Sequence, residues 1–160
     1  MYELIIRNVR EDDFLAIAEL AEKCPPMVTE RNSIYHIFTR FSSETSFIAE
    51  DDGAAGFILG FISQSDPSEA YIHLLCTAPS HRGTGLADEL LQTFIDTVKS
   101  RGAGKVLLIT KPVNQRAIRF YLRNGFEHVE SGRMVESGPV RAIADYNGPG
   151  EDMVLFRRFI

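Results

Sequence analysis

A glycine-bearing turn between an apolar run and an amphipathic run constrains this chain more than any other feature. The turn reads Ser80-His81-Arg82-Gly83-Thr84-Gly85-Leu86-Ala87, and it lies between apolar residues 71–77 and the helical pattern of residues 86–99. Glycines in a strand-to-helix turn let backbone N–H groups converge, and the helix start adds partial positive charge. The pattern predicts an anion-binding turn, although a tight connection without a ligand would need the same glycines.

Length, charge and cysteine usage limit the classes of protein. The 160 residues fit one domain over residues 1–160. The net charge of −5 argues against a nucleic-acid partner, and no apolar run reaches the length of a membrane span. Two cysteines, Cys24 and Cys76, are too few for a disulfide scaffold or a metal cage. We therefore expect a cytoplasmic protein in a reducing compartment, with no metal site and no membrane partner.

Apolar periodicity predicts alternating strands and helices along the whole chain. The predicted strands are 4–7, 45–50, 55–64, 71–77, 105–110, 126–130 and 153–159. A first predicted helix starts at residues 11–13 and is stopped by residues 24–26, and the other predicted helices are 30–41, 86–99 and 114–124. Residues 133–150 are predicted to form a long loop with some local structure. This order predicts a single α/β (α+β) domain with a central mixed, mostly antiparallel sheet flanked by helices.

Three blocks in this order resemble the GNAT superfamily of acyl-CoA-dependent N-acetyltransferases. The first is Ile5-Ile6-Arg7 with Glu11-Asp12-Asp13 and an alanine-rich helix. The second is the run from Leu75 to Ala87, and the third is Asn114-Gln115-Arg116-Ala117-Ile118-Arg119-Phe120-Tyr121-Leu122-Arg123-Asn124-Gly125-Phe126. The chain departs from the family pattern at Ser80, at Ala87 and at His73. At the position of His73 the family often has an acidic residue.

The resemblance implies the GNAT fold and acetyl-CoA as co-substrate. The N–H groups of the turn would hold the pyrophosphate; these residues are Arg82, Gly83, Thr84, Gly85, Leu86 and Ala87. The strand residues Leu75, Cys76 and Thr77 would lie along the pantetheine, with the Leu75 N–H bonding the thioester oxygen. Asn114 would cap the last helix and contact the cofactor, and Ala117 would pass close to the pantetheine.

Two side chains are candidates for proton transfer. The resemblance places Tyr121 near the thioester sulfur, and a phenol with a pKa near ~10 is protonated at neutral pH and can donate to a thiolate. The alternative for Tyr121 is an aromatic ring that only packs on the sheet. His73 is the candidate base, and it shares a face with Leu75 and Thr77 if the strand has no bulge. The alternative for His73 is a structural role, with water taking the proton. Cys76 could suggest acyl-cysteine chemistry, but we expect it to be a packed core thiol.

The acceptor site is the least determined part. By resemblance it involves the first helix pair, where Glu30 and Tyr35 are candidate substrate-binding residues, and the loop before the last strand. The predicted function is transfer of an acetyl group to a primary amine of a small molecule or peptide, by direct attack in a ternary complex. The alternative is a non-catalytic acyl-CoA-binding sensor or interaction module. A homodimer is expected because an apolar C-terminal strand at a sheet edge would otherwise be exposed.

Overall fold

The computed structural model describes residues 3–24 and 34–160. The chain divides into two compact units, residues 1–103 and residues 104–160. The extent of a single domain over residues 1–160 stays a prediction. In the described part of the chain, no helix has the length and apolar character needed to cross a membrane.

The first unit contains a four-stranded antiparallel meander. Its strands are β1 (Ile5–Asn8), β2 (Phe47–Asp51), β3 (Gly53–Ile62) and β4 (Glu69–Thr77). Each strand pairs with the next one along the chain. Gly53, at φ 110°, turns the chain between β2 and β3. The three strands predicted over residues 45–77 are present, and each pairs antiparallel with the next.

The helices of the first unit cover both faces of this meander. They are α1 (Phe14–Ala21), the short α2 (Ile34–His36), which continues as a π-helical turn Ile37–Phe41, and α3 (Leu86–Ser100). The buried face of α3 has helical spacing and consists of Leu86, Leu90, Leu91, Phe94, Ile95 and Val98. A Cβ at Gly56 would lie 2.8 Å from the Cys76 carbonyl and 3.2 Å from Leu90, so glycine lets α3 approach the sheet closely.

The core on the α1 side contains a disulfide that the sequence did not predict. Cys24, after α1, and Cys76, in β4, are bonded with their Cα atoms 6.2 Å apart, a separation that is ordinary for a disulfide. The prediction that Cys76 is a packed free thiol is therefore wrong, because the fold places Cys24 beside it across 52 residues of sequence. Because both cysteines are in a disulfide, they no longer indicate a reducing compartment. A cytoplasmic location stays a prediction.

The second unit contains a three-stranded sheet, one helix and a separate hairpin. Strand β9 (Val154–Phe159) lies between β5 (Lys105–Thr110) and β6 (Glu127–His128), and both pairs are antiparallel. Helix α4 (Gln115–Arg123) follows β5. The predicted loop 133–150 holds two paired strands, β7 (Met134–Ser137) and β8 (Val140–Ile143).

The internal position of β9 bears on the expected homodimer. A homodimer is expected only if the apolar C-terminal strand is an exposed edge. Since β9 has a partner on each side, its backbone groups are already paired within the unit, and the reason to expect a second copy there disappears.

Candidate functional site

The turn between β4 and α3 needs glycine at two positions for conformational reasons. After a 3-10 turn, Pro79–His81, the backbone of Arg82 is extended, and Gly83 and Gly85 follow at φ 77° and 86°. Residues with a Cβ rarely adopt such angles. A Cβ built at Gly83 or Gly85 would meet no atom of the described chain within 4 Å. The space above both glycines is therefore open, as a ligand cradle requires.

Helix α3 begins without a side-chain cap. Its N-cap residue is Gly85, which has no side chain to accept a hydrogen bond from the first turn. The first N–H groups of any helix have no intrahelical acceptor. By contrast, α4 is capped by Asn114, whose Oδ1 accepts from the Ala117 N–H at 3.3 Å. The uncapped start of α3 offers its N–H groups and its dipole to an anion.

Hydrogen bonds hold the residues that lead into this turn. The His81 carbonyl accepts from Thr84 Oγ1 at 2.5 Å, and the Arg82 guanidinium donates to the Lys23 carbonyl at 2.8 Å. The His81 ring lies 2.6 Å from the Asp51 carboxylate at the end of β2. The hydrogen bond from His81 lowers the pKa of the Asp51 carboxyl, so Asp51 is ionised at neutral pH.

The backbone of β4 separates Leu75 and Thr77 from Cys76. The Ala78 N–H donates to the Ala55 carbonyl at 2.7 Å, and the register pairs Cys76 with Phe57. Because bonded and non-bonded pairs alternate in an antiparallel ladder, Cys76 directs its N–H and C=O toward β3. The same groups of Leu75 and Thr77 point away from β3. Cys76 has its backbone in the ladder and its sulfur in the disulfide, so we no longer assign it to the cofactor.

Strand β4 has a bulge at His73, so His73 does not share a face with Leu75 and Thr77 as it would in a regular strand. Leu59 is opposite Leu74 and Gly60 is opposite Ile72, which leaves His73 as the extra residue. Its ring stacks on Phe38, with centroids 5.0 Å apart and planes inclined by 13°.

Phe38 belongs to the same core cluster as Cys76. His73 therefore lies on the α1 side of β4 and not on the face of the Leu75 and Thr77 side chains. Burial lowers the pKa of the His73 ring, because the charged form loses hydration. The ring is therefore neutral at neutral pH.

In the second unit, Tyr121 is a buried residue of α4. Its ring makes edge contacts with Phe120 and Phe126, at centroid distances of 5.1 and 5.2 Å, and a tilted contact with Phe156. The packing expected under the structural alternative is therefore present, and a catalytic role for the hydroxyl stays a prediction.

Of the two candidate acceptor residues, the structure describes Tyr35. Glu30 lies outside the described residues. Tyr35 has no exposed surface and belongs to the core of the first unit, so we do not propose it as an acceptor-binding residue. In the second unit, Arg133 pairs with Asp145 at 3.0 Å. Arg141 pairs with Glu130 and Glu136. These ion pairs lie in and beside the β7–β8 hairpin, in the loop that the resemblance assigns to the acceptor site.

Sequence reasoning missed two parts of the first unit that support the turn. One is the disulfide, and the other is the contact between Asp51 and His81. The sequence marks residues 51–53 as a hairpin turn, but nothing in it links that hairpin to His81. Among the described residues, no cluster of three or more histidine, cysteine or acidic side chains is arranged to hold a metal ion.

The family model described as Acetyltransferase (GNAT) family matches residues 14–126, which is more than two thirds of the chain. This protein belongs to the GNAT acetyltransferase family. The resemblance inferred from the three sequence blocks is confirmed.

A curated GNAT relative and two solved structures show how far the likeness extends. N-alpha-acetyltransferase 30 of Schizosaccharomyces pombe is 35% identical over 98 residues, which cover 58% of this chain and 64% of that protein. This chain therefore spans less than two thirds of that relative.

A diaminobutyrate acetyltransferase from Paenibacillus lautus was solved with its substrate L-2,4-diaminobutyric acid and coenzyme A. It has a TM-score of 0.77 at 20% identity, covering 98% of this chain and 95% of that one. Ard1 from Thermoplasma volcanium has a TM-score of 0.80 at 19% identity, covering 98% and 97%. The likeness confirms the predicted fold class, a GNAT-like α/β fold with a mixed sheet flanked by helices.

Proposed function

We propose that this GNAT protein transfers an acetyl group from acetyl-CoA to a primary amine by direct attack in a ternary complex. The observation that carries the proposal is the turn of residues 82–87. It combines two left-handed glycines, open space above them and an uncapped helix start. This combination suits a pyrophosphate, which is anionic and bonds to several N–H groups at once.

The residues that would hold acetyl-CoA follow from the backbone directions. The N–H groups of residues 83–87 would bind the pyrophosphate, whereas the Arg82 N–H already donates to the Pro79 carbonyl at 3.4 Å. The outward main-chain groups of Leu75 and Thr77 would pair with the pantetheine as a neighbouring strand would. Asn114 and Ala117, at the start of α4, are proposed as further cofactor contacts on the strength of the family motif.

The Leu75 N–H is proposed to stabilise the charge that develops on the thioester oxygen. Acetyl-CoA supplies the activated acyl group, and the chain supplies a hydrogen-bond donor fixed in place by the β3–β4 ladder. Such a preorganised donor lowers a barrier by roughly 3–4 kcal/mol. Support comes from the register, which directs the Leu75 N–H away from β3.

Proton transfers are assigned to His73 and Tyr121. A neutral imidazole accepts a proton, and the lowered pKa of His73 keeps it neutral at neutral pH. His73 would take the amine proton through water, because its ring is stacked on Phe38 on the α1 side of β4. The Tyr121 phenol would give its proton to the departing thiolate. The family motif supports Tyr121, and the burial of His73 supports its protonation state.

The acceptor is proposed to be a small amine or a peptide N-terminus. The curated relative from Schizosaccharomyces pombe is named as an N-alpha-acetyltransferase, and the relative from Paenibacillus lautus binds a diamino acid as substrate. Both acceptors present a primary amine, which is the group that direct attack on a thioester requires.

A free-thiol assay tests the proposal. The protein is incubated with acetyl-CoA and a panel of amino acids, including L-2,4-diaminobutyric acid, polyamines and peptides with free N-termini, and thiol release is measured. We expect release that depends on one class of amine and a product heavier by one acetyl group. Calorimetric binding of acetyl-CoA without turnover on any amine would favour the non-catalytic sensor. Absence of both would refute the assignment of the turn.

A further inference from the structure

The ring of His81 is held at both nitrogens directly before the glycine turn. Its Nε2 lies 2.6 Å from Asp51 Oδ2, and its Nδ1 lies 3.0 Å from Ser80 Oγ. A carboxylate only accepts hydrogen bonds, so the Nε2–H donates to Asp51. Both side chains are about three quarters buried, with 23% of His81 and 26% of Asp51 exposed.

Asp51 is itself fixed on the β2–β3 hairpin. Its Oδ1 accepts the N–H of Asp52 at 2.5 Å, while its Oδ2 holds His81. The main chain of His81 also contacts the turn, because its carbonyl accepts a hydrogen bond from Thr84 Oγ1. One residue thus links the hairpin tip to the turn through a side-chain bond and a main-chain bond.

The charge of Asp51 works against the proposed ligand. A carboxylate close to an anion-binding turn repels a phosphate, so on charge alone its removal would tighten binding. A structural link has the opposite sign, because its removal would loosen the turn and weaken binding. This difference in sign separates the two roles experimentally.

We propose that Asp51 and His81 form a clamp that holds residues 82–87 in the shape that binds the pyrophosphate of acetyl-CoA. The inference rests on the proposed function of that turn. Neither residue touches the reacting atoms in this proposal, so both are positioning residues. The clamp acts on cofactor affinity and leaves the chemical step to other groups.

The test compares Asp51→Ala with Asp52→Ala. Asp52 is the adjacent exposed acid, and no described residue pairs with its carboxylate, so the control removes the same charge from the same hairpin. We expect Asp51→Ala to raise the Kd for acetyl-CoA about fivefold or more, as loss of a charge-assisted hydrogen bond does. Asp52→Ala should leave the Kd within about twofold or lower it slightly.

Three further measurements separate a clamp from general destabilisation. Asp51→Asn keeps an acceptor for His81 and should recover most of the affinity. The double variant Asp51→Ala/His81→Ala should bind no more weakly than either single variant, because the two residues act as one unit. In steady state the KM for acetyl-CoA should rise in Asp51→Ala, while kcat and the KM for the amine hold.

Hydrogen exchange in the ligand-free protein tests the clamp without the cofactor. Amides of residues 82–87 should exchange faster in Asp51→Ala than in Asp52→Ala, because loss of the link favours local opening. Equal exchange in the two variants, or tighter acetyl-CoA binding by Asp51→Ala, would overturn the clamp. A wild-type protein that binds no acetyl-CoA would refute the proposed function, and the exchange comparison would still decide on the clamp.

Discussion

Replacing the glycine that begins α3 gives the most direct test of the cofactor turn, because the same helix ends at a matched glycine. Gly85 has φ 86° and Gly102 has φ 98°, and a Cβ at either meets no described atom within 4 Å. The two positions flank the 15-residue helix α3, which is about 22 Å long at 1.5 Å per residue. Gly102 therefore reproduces the backbone strain of Gly85 far from the turn.

The cost of backbone strain should be the same in the two alanine variants, Gly85→Ala and Gly102→Ala. A left-handed conformation costs a non-glycine residue roughly 1–2 kcal/mol. The smaller entropy of the unfolded chain returns about 0.4–1 kcal/mol of this. The net loss of about 1 kcal/mol should lower Tm by roughly 2–4 °C in a chain of this size.

The effect on acetyl-CoA should differ sharply between the two ends. Gly85→Asp places a negative charge where the pyrophosphate binds. Repulsion over about 6 Å at the protein surface costs roughly 1–3 kcal/mol, or about ten- to a hundredfold in Kd. Gly102→Asp carries the same charge and should bind like the wild type.

Calorimetry of the two aspartate variants, with the two alanine variants as controls for strain alone, measures this difference. Equal Kd values for Gly85→Asp and Gly102→Asp in folded protein would refute the assignment of the pyrophosphate to this turn. A loss of affinity that follows the loss of Tm at both positions would refute it as well.

Four further outcomes are expected. Tyr121→Phe should lower kcat by about a hundredfold with the KM for acetyl-CoA nearly unchanged, since it removes only the proton donor; wild-type turnover would mean that water supplies the proton. His73→Ala should slow the reaction most near neutral pH and recover as rising pH produces free amine, whereas an unchanged pH profile would remove His73 from the mechanism. Burial lowers the pKa of His73 in the folded chain. Just below pH ~6.5 the unfolded chain therefore binds more protons at His73 than the folded chain does, so the wild-type free energy of unfolding should rise with pH up to that value. Burial alone would raise the pKa of Asp13, but hydrogen bonds from Arg7 and the Arg10 N–H outweigh it and the pKa is lowered. Asp13→Asn should therefore cost about 1–3 kcal/mol at neutral pH in urea unfolding, a difference that disappears as acid protonates Asp13; a difference that persists at low pH would contradict this.

Local features of this protein could be predicted from the sequence because their causes lie within a few residues. The buried face of α3 repeats at helical spacing, so its length and orientation follow from the sequence of the helix itself. The causes of the glycines at 83 and 85 and of the cap at Asn114 are also local. The backbone angles at positions 83 and 85 require glycine, and the Asn114 side chain caps the first turn of the helix that follows it. These are the parts that carry the family resemblance and the proposed cofactor site.

Tertiary structure decided the features that depend on residues far apart in the chain. The bulge at His73 arises from the register between β3 and β4, and it moves the ring to the side of Phe38. The disulfide requires α1 to end beside β4, and the pairing of Asp51 with His81 requires a hairpin tip to reach the turn. The internal position of β9 requires partners from two separate segments. Hydrophobic periodicity reports which face of an element is buried but not which partner buries it, so these pairings became visible only in the folded chain.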